Sequence, residues 1–266
     1  MKILVPVKQV ARLREDFVLG GEDFVLGGDE APPADALDWQ PNEWDRFSLE
    51  AALQLNANGG GEVVVVTVGD ERAADALRAG LAMGADRAIR VWDETLEGVD
   101  ALAVARVLAA VASAEQPDLI LCGVQSSDAA SAATGVALAG LLGIAHVAVV
   151  DAIERDGERL CVRRQLEGGA VELLGVWLPA LLTVQTGINT PRRPNLRAIK
   201  QARTAETTVL GLGDVGLDAG AVAAAAGSRT VGMRERSRGP GATLIEGPPP
   251  AIAARIAEIV REAMGS

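Results

Sequence analysis

Short apolar runs, separated by amphipathic segments, recur along the first 150 residues of the chain. The apolar runs lie at 3–7, 62–69, 87–92, 119–122 and 145–150, and each has the length of a strand. A strand without polar positions suits a parallel sheet that is covered on both faces. Strands that alternate with helices predict an α/β fold with a doubly wound, Rossmann-like parallel sheet and right-handed crossovers.

The segment 42–55 predicts a helix of this fold. Asn42 can act as its N-cap. Small or apolar residues recur on one face at helical spacing, namely Trp44, Phe47, Ser48, Ala51, Ala52 and Leu55. We therefore expect this face to pack against the sheet.

A polar loop follows the apolar strand at 119–122 and opens at Gly123. It leads into an Ala-rich helix that ends at Gly143. The first N–H groups of a helix have no partner within the helix, so such a loop can hold a phosphate or another anion. An ordinary turn whose Ser and Asp residues cap the helix explains the same pattern. The residues alone leave both interpretations open.

The position of this loop in the sheet predicts a ligand site. If strands 3–7 and 119–122 flank the reversal of strand order, their carboxyl ends form the crevice where doubly wound sheets bind ligands. We expect that crevice to bring together Pro6 to Lys8, Asn42 to Asp45, Val68 and the loop 123–135. The resulting site would have the size of a nucleotide.

The pattern changes after residue 151. Segments 159–166 and 170–174 predict a β-hairpin, and 178–184 predicts a further strand. The polar segment 185–202 carries a basic cluster. Such a cluster either meets a phosphate or an acidic partner, or is a solvated surface.

Beyond residue 204 the chain is rich in Ala, Gly and Pro until an amphipathic helix at 251–264. The sequence therefore predicts a domain at 1–203 and an extended C-terminal arm at 204–266 that packs on a partner subunit. An exact duplication of EDFVLGG at 15–28 predicts either a hairpin or a surface loop, and we assign it no function.

The composition of the chain disfavours several kinds of binding partner and location. The 266 residues include 36 acidic and 25 basic side chains, for a formal net charge of −11, which disfavours binding to nucleic acid or to an anionic membrane. No apolar run reaches transmembrane length, and the run at the N-terminus is too short for a signal peptide. We expect a cytoplasmic protein.

The sequence offers few groups for catalysis. The one histidine, His146, lies in an apolar run and predicts a core histidine, and Cys122 and Cys161 predict buried thiols. The GxGxxG match at 211–216 lacks a surrounding βαβ unit and is interpreted as a turn. We predict no catalytic acid, base or nucleophile and no metal site.

Five segments of the chain resemble the β subunit of electron transfer flavoprotein. They stand in the family's order, at nearly its spacing, and reach to about residue 217. The segments are ILVPVK (3–8), NEWDRFSLEAA (42–52), LAMGADRAI (81–89), PDLILCG with Gln125 (117–125), and LPALLT with IN-PR (178–192).

This resemblance implies a subunit that pairs with an α subunit carrying the redox-active FAD. Such a heterodimer accepts electrons from flavin-linked dehydrogenases and passes them to a downstream acceptor. The β subunit's own site holds AMP in the common type and a second FAD in the bifurcating type. By position, the cofactor site of this chain would comprise Pro6, Asn42, Glu43, Trp44, Asp45, Val68, Val124, Gln125, Ser126, Ser127, Asp128, Thr134 and Gly135.

The resemblance also gives the basic segment a role. The loop with which the family docks dehydrogenases would fall on 189–202, with Asn189, Pro191 and Arg192 in its first part and Leu196 at the position of the docking leucine. The segment reads Asn-Thr-Pro-Arg where the family has Asn-Glu-Pro-Arg, which favours a specialised dehydrogenase partner.

The nucleotide loop departs from the family pattern. It keeps Gln125, Asp128, Thr134 and Gly135 but has Val124 and four alanines, Ala129, Ala130, Ala132 and Ala133, at positions that are polar in the family. We therefore expect weakened AMP binding, and the loop lacks the pattern that accompanies a second FAD. A non-redox adenine-nucleotide-binding module of the universal-stress type, acting as a homodimer, is an alternative that the sheet and loop leave open. A fully degenerate subunit retained only for assembly is a third interpretation, with which the Ala-rich loop is compatible.

Overall fold

A nine-stranded sheet and a separate two-stranded ribbon contain the strands of the described residues. The protein is described by a computed structural model that covers residues 1–14, 36–57, 60–228 and 241–265. The duplicated segment at 15–28 lies outside the described residues. The strands are β1 (Lys2–Pro6), β2 (Gln9–Leu13), β3 (Leu37–Pro41), β4 (Glu62–Val68), β5 (Arg87–Val91), β6 (Leu119–Gly123), β7 (Ala145–Asp156), β8 (Arg159–Gln165), β9 (Val171–Trp177), β10 (Ala180–Val184) and β11 (Thr208–Leu210).

The sheet has the order β11-β5-β4-β1-β6-β10-β7-β8-β9. Pairing is parallel from β11 to β7 and antiparallel from β7 to β9. Strands β2 and β3 form a separate antiparallel ribbon. The predicted α/β sheet with an added hairpin is therefore confirmed.

Seven helices accompany the strands in the described part of the chain. They are α1 (Glu43–Ala57), α2 (Ala74–Met83), α3 (Ala101–Glu115), α4 (Thr134–Leu142), α5 (Leu196–Thr204), α6 (Ala219–Ala224) and α7 (Pro249–Met264). Several begin at side chains that accept hydrogen bonds from the first turn. Asp100 accepts from the N–H groups of Leu102 and Ala103 in α3, and Asn195 accepts from the N–H of Ala198 in α5.

Helices cover both faces of the sheet because its strands are apolar on both faces. In β1, Ile3 and Val5 face one side and pack with Leu49 of α1. Leu4 faces the other side and packs in the cluster that contains Leu108 of α3 and residues of α4. The sheet is therefore wound on both sides, as the apolar runs predict.

The order of strands reverses next to β1. The chain moves from β1 to β4 and β5 on one side and then returns to place β6 on the other side of β1. This is the reversal that the sequence places between strands 3–7 and 119–122, and it opens a crevice at the carboxyl ends of β1 and β6.

The chain divides into two compact units, 1–24 with 32–231 and 25–31 with 232–266. The first unit extends past the boundary expected at residue 203, because β11 pairs with β5 in the main sheet. In the second unit, α7 begins at Pro249, a position where the missing N–H of proline costs no helical hydrogen bond. Whether this helix packs on a partner subunit stays a prediction.

Candidate functional site

A cavity of about 590 Å³ lies at the crevice between β1 and β6. Its volume falls within the range of small-molecule pockets. The ends of the strands form its floor, the loop after β6 forms one wall, and the start of α3 forms the other. The residues that line it include Pro6, Lys8, Asn42, Asp45, Val68, Leu96, Asp100, Leu102, Gly123, Gln125, Ser126, Thr134 and Gly135.

Asn42 ties the loop after β6 to the start of α1. Its side-chain nitrogen donates to the carbonyl of Gln125 at 2.9 Å, and its side-chain oxygen accepts from the N–H of Ser127 at 3.2 Å. Its own N–H donates to the carbonyl of Lys8 at 2.8 Å. Since Asn42 is buried, these bonds fix the loop against both β1 and α1.

Asp45 lies beneath the same loop and is 7% exposed. Its carboxylate accepts from the N–H of Lys8 at 2.8 Å. Burial raises the pKa of Asp45 to about 7, against the hydrogen bonds from Lys8, Asn42 and Gly123, which lower it. Near neutral pH the floor of the cavity therefore carries a carboxyl group that can gain or lose a proton.

Gly123 is required where the loop passes over α1. A Cβ at this position would overlap a carboxylate oxygen of Asp45 and lie 2.6 Å from the Cβ of Trp44. The missing side chain lets the loop approach the helix closely. Gly135 plays the same part at the start of α4, where a Cβ would lie 2.8 Å from the methyl group of Thr183.

Lys8 brings a positive charge to the cavity. Its ammonium donates to Asp128 at 2.7 Å and to the hydroxyl of Ser126 at 3.2 Å. Burial opposes ionisation of Asp128, but hydrogen bonds from Lys8 and Ser126 outweigh it and hold its pKa below the ordinary value. The ammonium thus holds the loop in place and lies at the cavity as one half of an ion pair.

Two alanines of the loop adopt left-handed backbone conformations. Ala130 has a φ of 48° and Ala132 a φ of 50°. Residues other than glycine rarely adopt this region, and it costs of order 1 kcal/mol or more for each. Such strain is concentrated at ligand sites, so it supports a functional role for this loop.

Asp100 shapes the opposite wall of the cavity. Besides capping α3, it accepts hydrogen bonds from the N–H groups of Gly227 and Ser228, both at 2.8 Å. The hydrogen bond from the N–H of Ala103 does most to hold the pKa of Asp100 below the ordinary value, and the bonds from Gly227 and Ser228 lower this pKa further. They also bring Ser228 to the rim of the cavity, 128 residues away along the chain.

Most of the residues expected at the nucleotide site line this cavity. They are Pro6, Asn42, Asp45, Val68, Val124, Gln125, Ser126, Thr134 and Gly135. Asp128 acts on the cavity through Lys8, and Ser127 through Asn42. Glu43 is exposed outside the lining, and Trp44 instead donates its indole N–H to Gln185 at 3.0 Å.

The sequence pattern does not predict the wall formed by Leu96, Asp100, Leu102 and Ser228. The helix start at Asp100 follows β5, but nothing in the pattern indicates that α3 leans over the crevice. Asp100, the N-cap of α3, was the one sequence feature that could have indicated this wall.

The segment expected to dock a partner lies against α1. Asn189 donates to the carbonyl of Phe47 at 3.0 Å, and Arg192 pairs with Glu50. Pro191 is half-buried between them. Leu196 begins α5, and its side chain is 78% exposed. The segment is therefore an ordered one that presents a leucine to the surroundings.

Two interpretations of single residues are wrong. His146 is exposed, because side chains alternate along β7 and the neighbouring Val147 faces the core. Cys161 is also exposed, on the face of β8 opposite Leu160. Cys122 is buried as expected, and burial raises the pKa of its thiol.

Other expectations concern metals, turns and membranes. Among the described residues, no three His, Cys, Asp or Glu side chains form a group that could hold a metal ion. Residues Gly213–Val215 form a single helical turn, which confirms the interpretation of the GxGxxG match as a turn. In the same part of the chain, no helix has both the length and the apolar character of a membrane span.

Comparison with known proteins gives matches over the whole chain. A family model described as the electron transfer flavoprotein domain matches residues 34–214. The electron transfer flavoprotein subunit beta of Methylophilus methylotrophus is 43% identical over 273 residues, which cover 100% of both chains. The protein of the same name from Bradyrhizobium diazoefficiens is 38% identical over 224 residues, covering 82% of this chain and 84% of the relative. Protein FixA of Azorhizobium caulinodans is 36% identical over 185 residues, covering 66% of each.

Proposed function

Since the chain belongs to the electron transfer flavoprotein β-subunit family, we propose that it forms a heterodimer with an FAD-carrying α subunit. This complex accepts electrons from a flavin-linked dehydrogenase and delivers them to a downstream acceptor. The observation that carries the proposal is the 43% identity over the full length of both chains with a protein named as a β subunit. The bound flavin supplies the electron storage, and this chain supplies binding surfaces.

The cavity between β1 and β6 is proposed to hold AMP. Apolar side chains such as Val68 and Leu102 offer a surface for an adenine ring, and the lining also carries hydroxyl groups and the Lys8 ammonium for the phosphate. Lys8 is already paired with Asp128, so a nucleotide with several phosphates would meet little further positive charge there. A monophosphate therefore fits this donor set better than a dinucleotide such as a second FAD.

An apolar surface on β9 supports a partner subunit. Val171, Leu173 and Trp177 lie on one face of this edge strand because side chains alternate along it. Leu173 is 80% exposed and Trp177 64% exposed. Exposed apolar groups of this size mark a surface that another protein covers. We propose that the α subunit packs here, and that α7 also contacts it.

The docking segment is proposed to bind the dehydrogenase. Leu196 provides an exposed apolar anchor, and the arginines at 193 and 197 beside it are exposed as well. An apolar residue surrounded by positive charges suits an acidic partner surface with a small pocket.

Coexpression with an α subunit of the same family tests the proposal. We expect a heterodimer by size measurement, flavin absorbance in the purified complex, and both FAD and AMP among the small molecules released for mass spectrometry. A chain that stays a homodimer, carries no flavin and binds ATP in calorimetry would instead support the universal-stress type of module.

A Leu196→Ala variant tests the docking role separately. It should slow reduction of the complex by the dehydrogenase at low dehydrogenase concentration and leave the flavin content unchanged. An unchanged rate would remove the docking assignment without affecting the assignment to the family.

A further inference from the structure

One face of α1 holds the polar segment 185–202, which contains the docking segment, at three points. Trp44 bonds to Gln185, the carbonyl of Phe47 accepts from Asn189, and Glu50 pairs with Arg192. The three helical residues are spaced by three, so they lie on the same side of α1. These contacts reach the first part of the segment, at residues 185, 189 and 192. The segment is thus laid along the helix before any partner binds.

The Glu50 contact is the most extensive of the three. One carboxylate oxygen accepts from the Nε of Arg192 at 2.7 Å and from the backbone N–H of Arg192 at 3.1 Å. The other accepts from the Nη2 of Arg192 at 3.0 Å and from Gln54 at 2.9 Å. Glu50 thereby fixes both the guanidinium and the main chain of Arg192.

Burial sets Glu50 apart from the surface ion pairs of this protein. Its side chain is 4% exposed, whereas that of Arg192 is 44% exposed. Burial opposes ionisation of Glu50, yet the hydrogen bonds from Arg192 outweigh it and lower its pKa below the ordinary value. The carboxylate therefore stays charged and paired at neutral pH.

The pair lies four residues before Leu196. Between them, Pro194 restricts the backbone and Asn195 caps α5. Fixing Arg192 therefore limits the orientations in which the first turn of α5 can present Leu196. A segment ordered in advance loses less conformational entropy when a partner binds, which improves affinity without a new contact.

We propose that Glu50 is a positioning residue for partner docking, which holds Arg192 so that Leu196 is presented in its binding orientation. The Glu50 side chain is buried against Arg192, so its effect on the segment passes through Arg192. The inference rests on the proposed docking function of Leu196.

The test uses the purified heterodimer and a purified flavin-linked dehydrogenase selected because it reduces the unmutated complex. Glu50→Gln keeps the size of the side chain and removes its charge. We expect the KM of the dehydrogenase for the heterodimer to rise about five- to tenfold, with kcat within about twofold of the value for the unmutated complex. The reason is that the segment must then be ordered when the two proteins bind, which costs binding free energy. Backbone amides of residues 186–195 should exchange faster in the free variant.

Variants of the arginine supply the matched controls. Arg192→Leu should behave like Glu50→Gln, and Arg192→Lys should give an intermediate KM because it keeps the charge but loses the two-nitrogen contact. Arg193→Leu removes the same charge from the next residue without touching Glu50, and it should leave amide exchange of the segment unchanged.

A double variant separates positioning from a general loss of stability. If Glu50 acts through Leu196, adding Glu50→Gln to Leu196→Ala should raise KM by less than about twofold further. A full additional increase would overturn the inference, as would an unchanged KM in Glu50→Gln when Leu196→Ala raises it. An unchanged KM in Leu196→Ala would overturn the docking function itself.

Discussion

An Asp45→Asn substitution tests the electrostatics of the site. Asp45 is buried beneath the loop after β6, and its pKa is raised from 3.8 to about 7, chiefly by burial. The folded protein therefore binds a proton between pH 4 and 7 that the unfolded chain has released. By linkage, the free energy of unfolding falls as pH rises through this interval.

The magnitude follows from the size of the shift. A pKa difference of about three units at about 1.4 kcal/mol per unit amounts to about 4 kcal/mol. This stabilisation is fully present below pH 4 and is lost by about pH 7. Asparagine does not titrate, so the variant should lose this dependence. The asparagine side chain also places an NH₂ group among hydrogen-bond donors. This lowers the free energy of unfolding of the variant, but by an amount that does not depend on pH.

Urea unfolding of both proteins from pH 5 to pH 8 measures the difference. The free energy of unfolding of the unmutated protein should fall relative to that of Asp45→Asn as pH rises. Asp128→Asn is the control, because the pKa of Asp128 is lowered and its contribution is lost only when pH falls through that lowered value. Parallel pH profiles for the unmutated protein and Asp45→Asn would refute the reasoning.

Two further substitutions probe how the loop is held. Gly123→Ala introduces a Cβ that overlaps Asp45, and it should lower the free energy of unfolding, measured by thermal unfolding, by about 1–3 kcal/mol. Gly140→Ala is the control, because a Cβ there meets nothing within 4 Å, and it should not destabilise the protein. Asn42→Ala removes two bonds to the loop and should cost about 1–3 kcal/mol. Amides of 124–128 should then exchange faster, and an unchanged exchange pattern would argue against this role of Asn42.

The sheet and its point of reversal were predictable because their signals are local. Each apolar run specifies a strand covered on both faces, and the helices between the runs force parallel crossovers. The loop 123–135 follows from the same reasoning, since it connects a buried strand to a helix. Its place beside β1 depends on the order of the strands in the sheet.

Contacts between distant segments were not predictable. The pair of Lys8 and Asp128 joins residues 120 positions apart, and neither has a local pattern that identifies the other. The strand β11 has only three residues, so its apolar pattern is too short to recognise. The exposure of His146 depends on which face of β7 a helix covers, and the apolar run around it hides that asymmetry.

The buried polar residues show why α1 matters to both sites. Among the described residues, six polar or charged side chains are buried, and four of them lie between Asn42 and Glu50. The amphipathic pattern of 42–55 explains only Ser48, which lies on its predicted inner face. Burying Asn42, Asp45 and Glu50 costs free energy unless each finds partners. Those partners are the cavity loop for Asn42, the backbone N–H of Lys8 for Asp45, and Arg192 of the docking segment for Glu50. The departures from the helical pattern therefore mark the positions where α1 holds both functional segments.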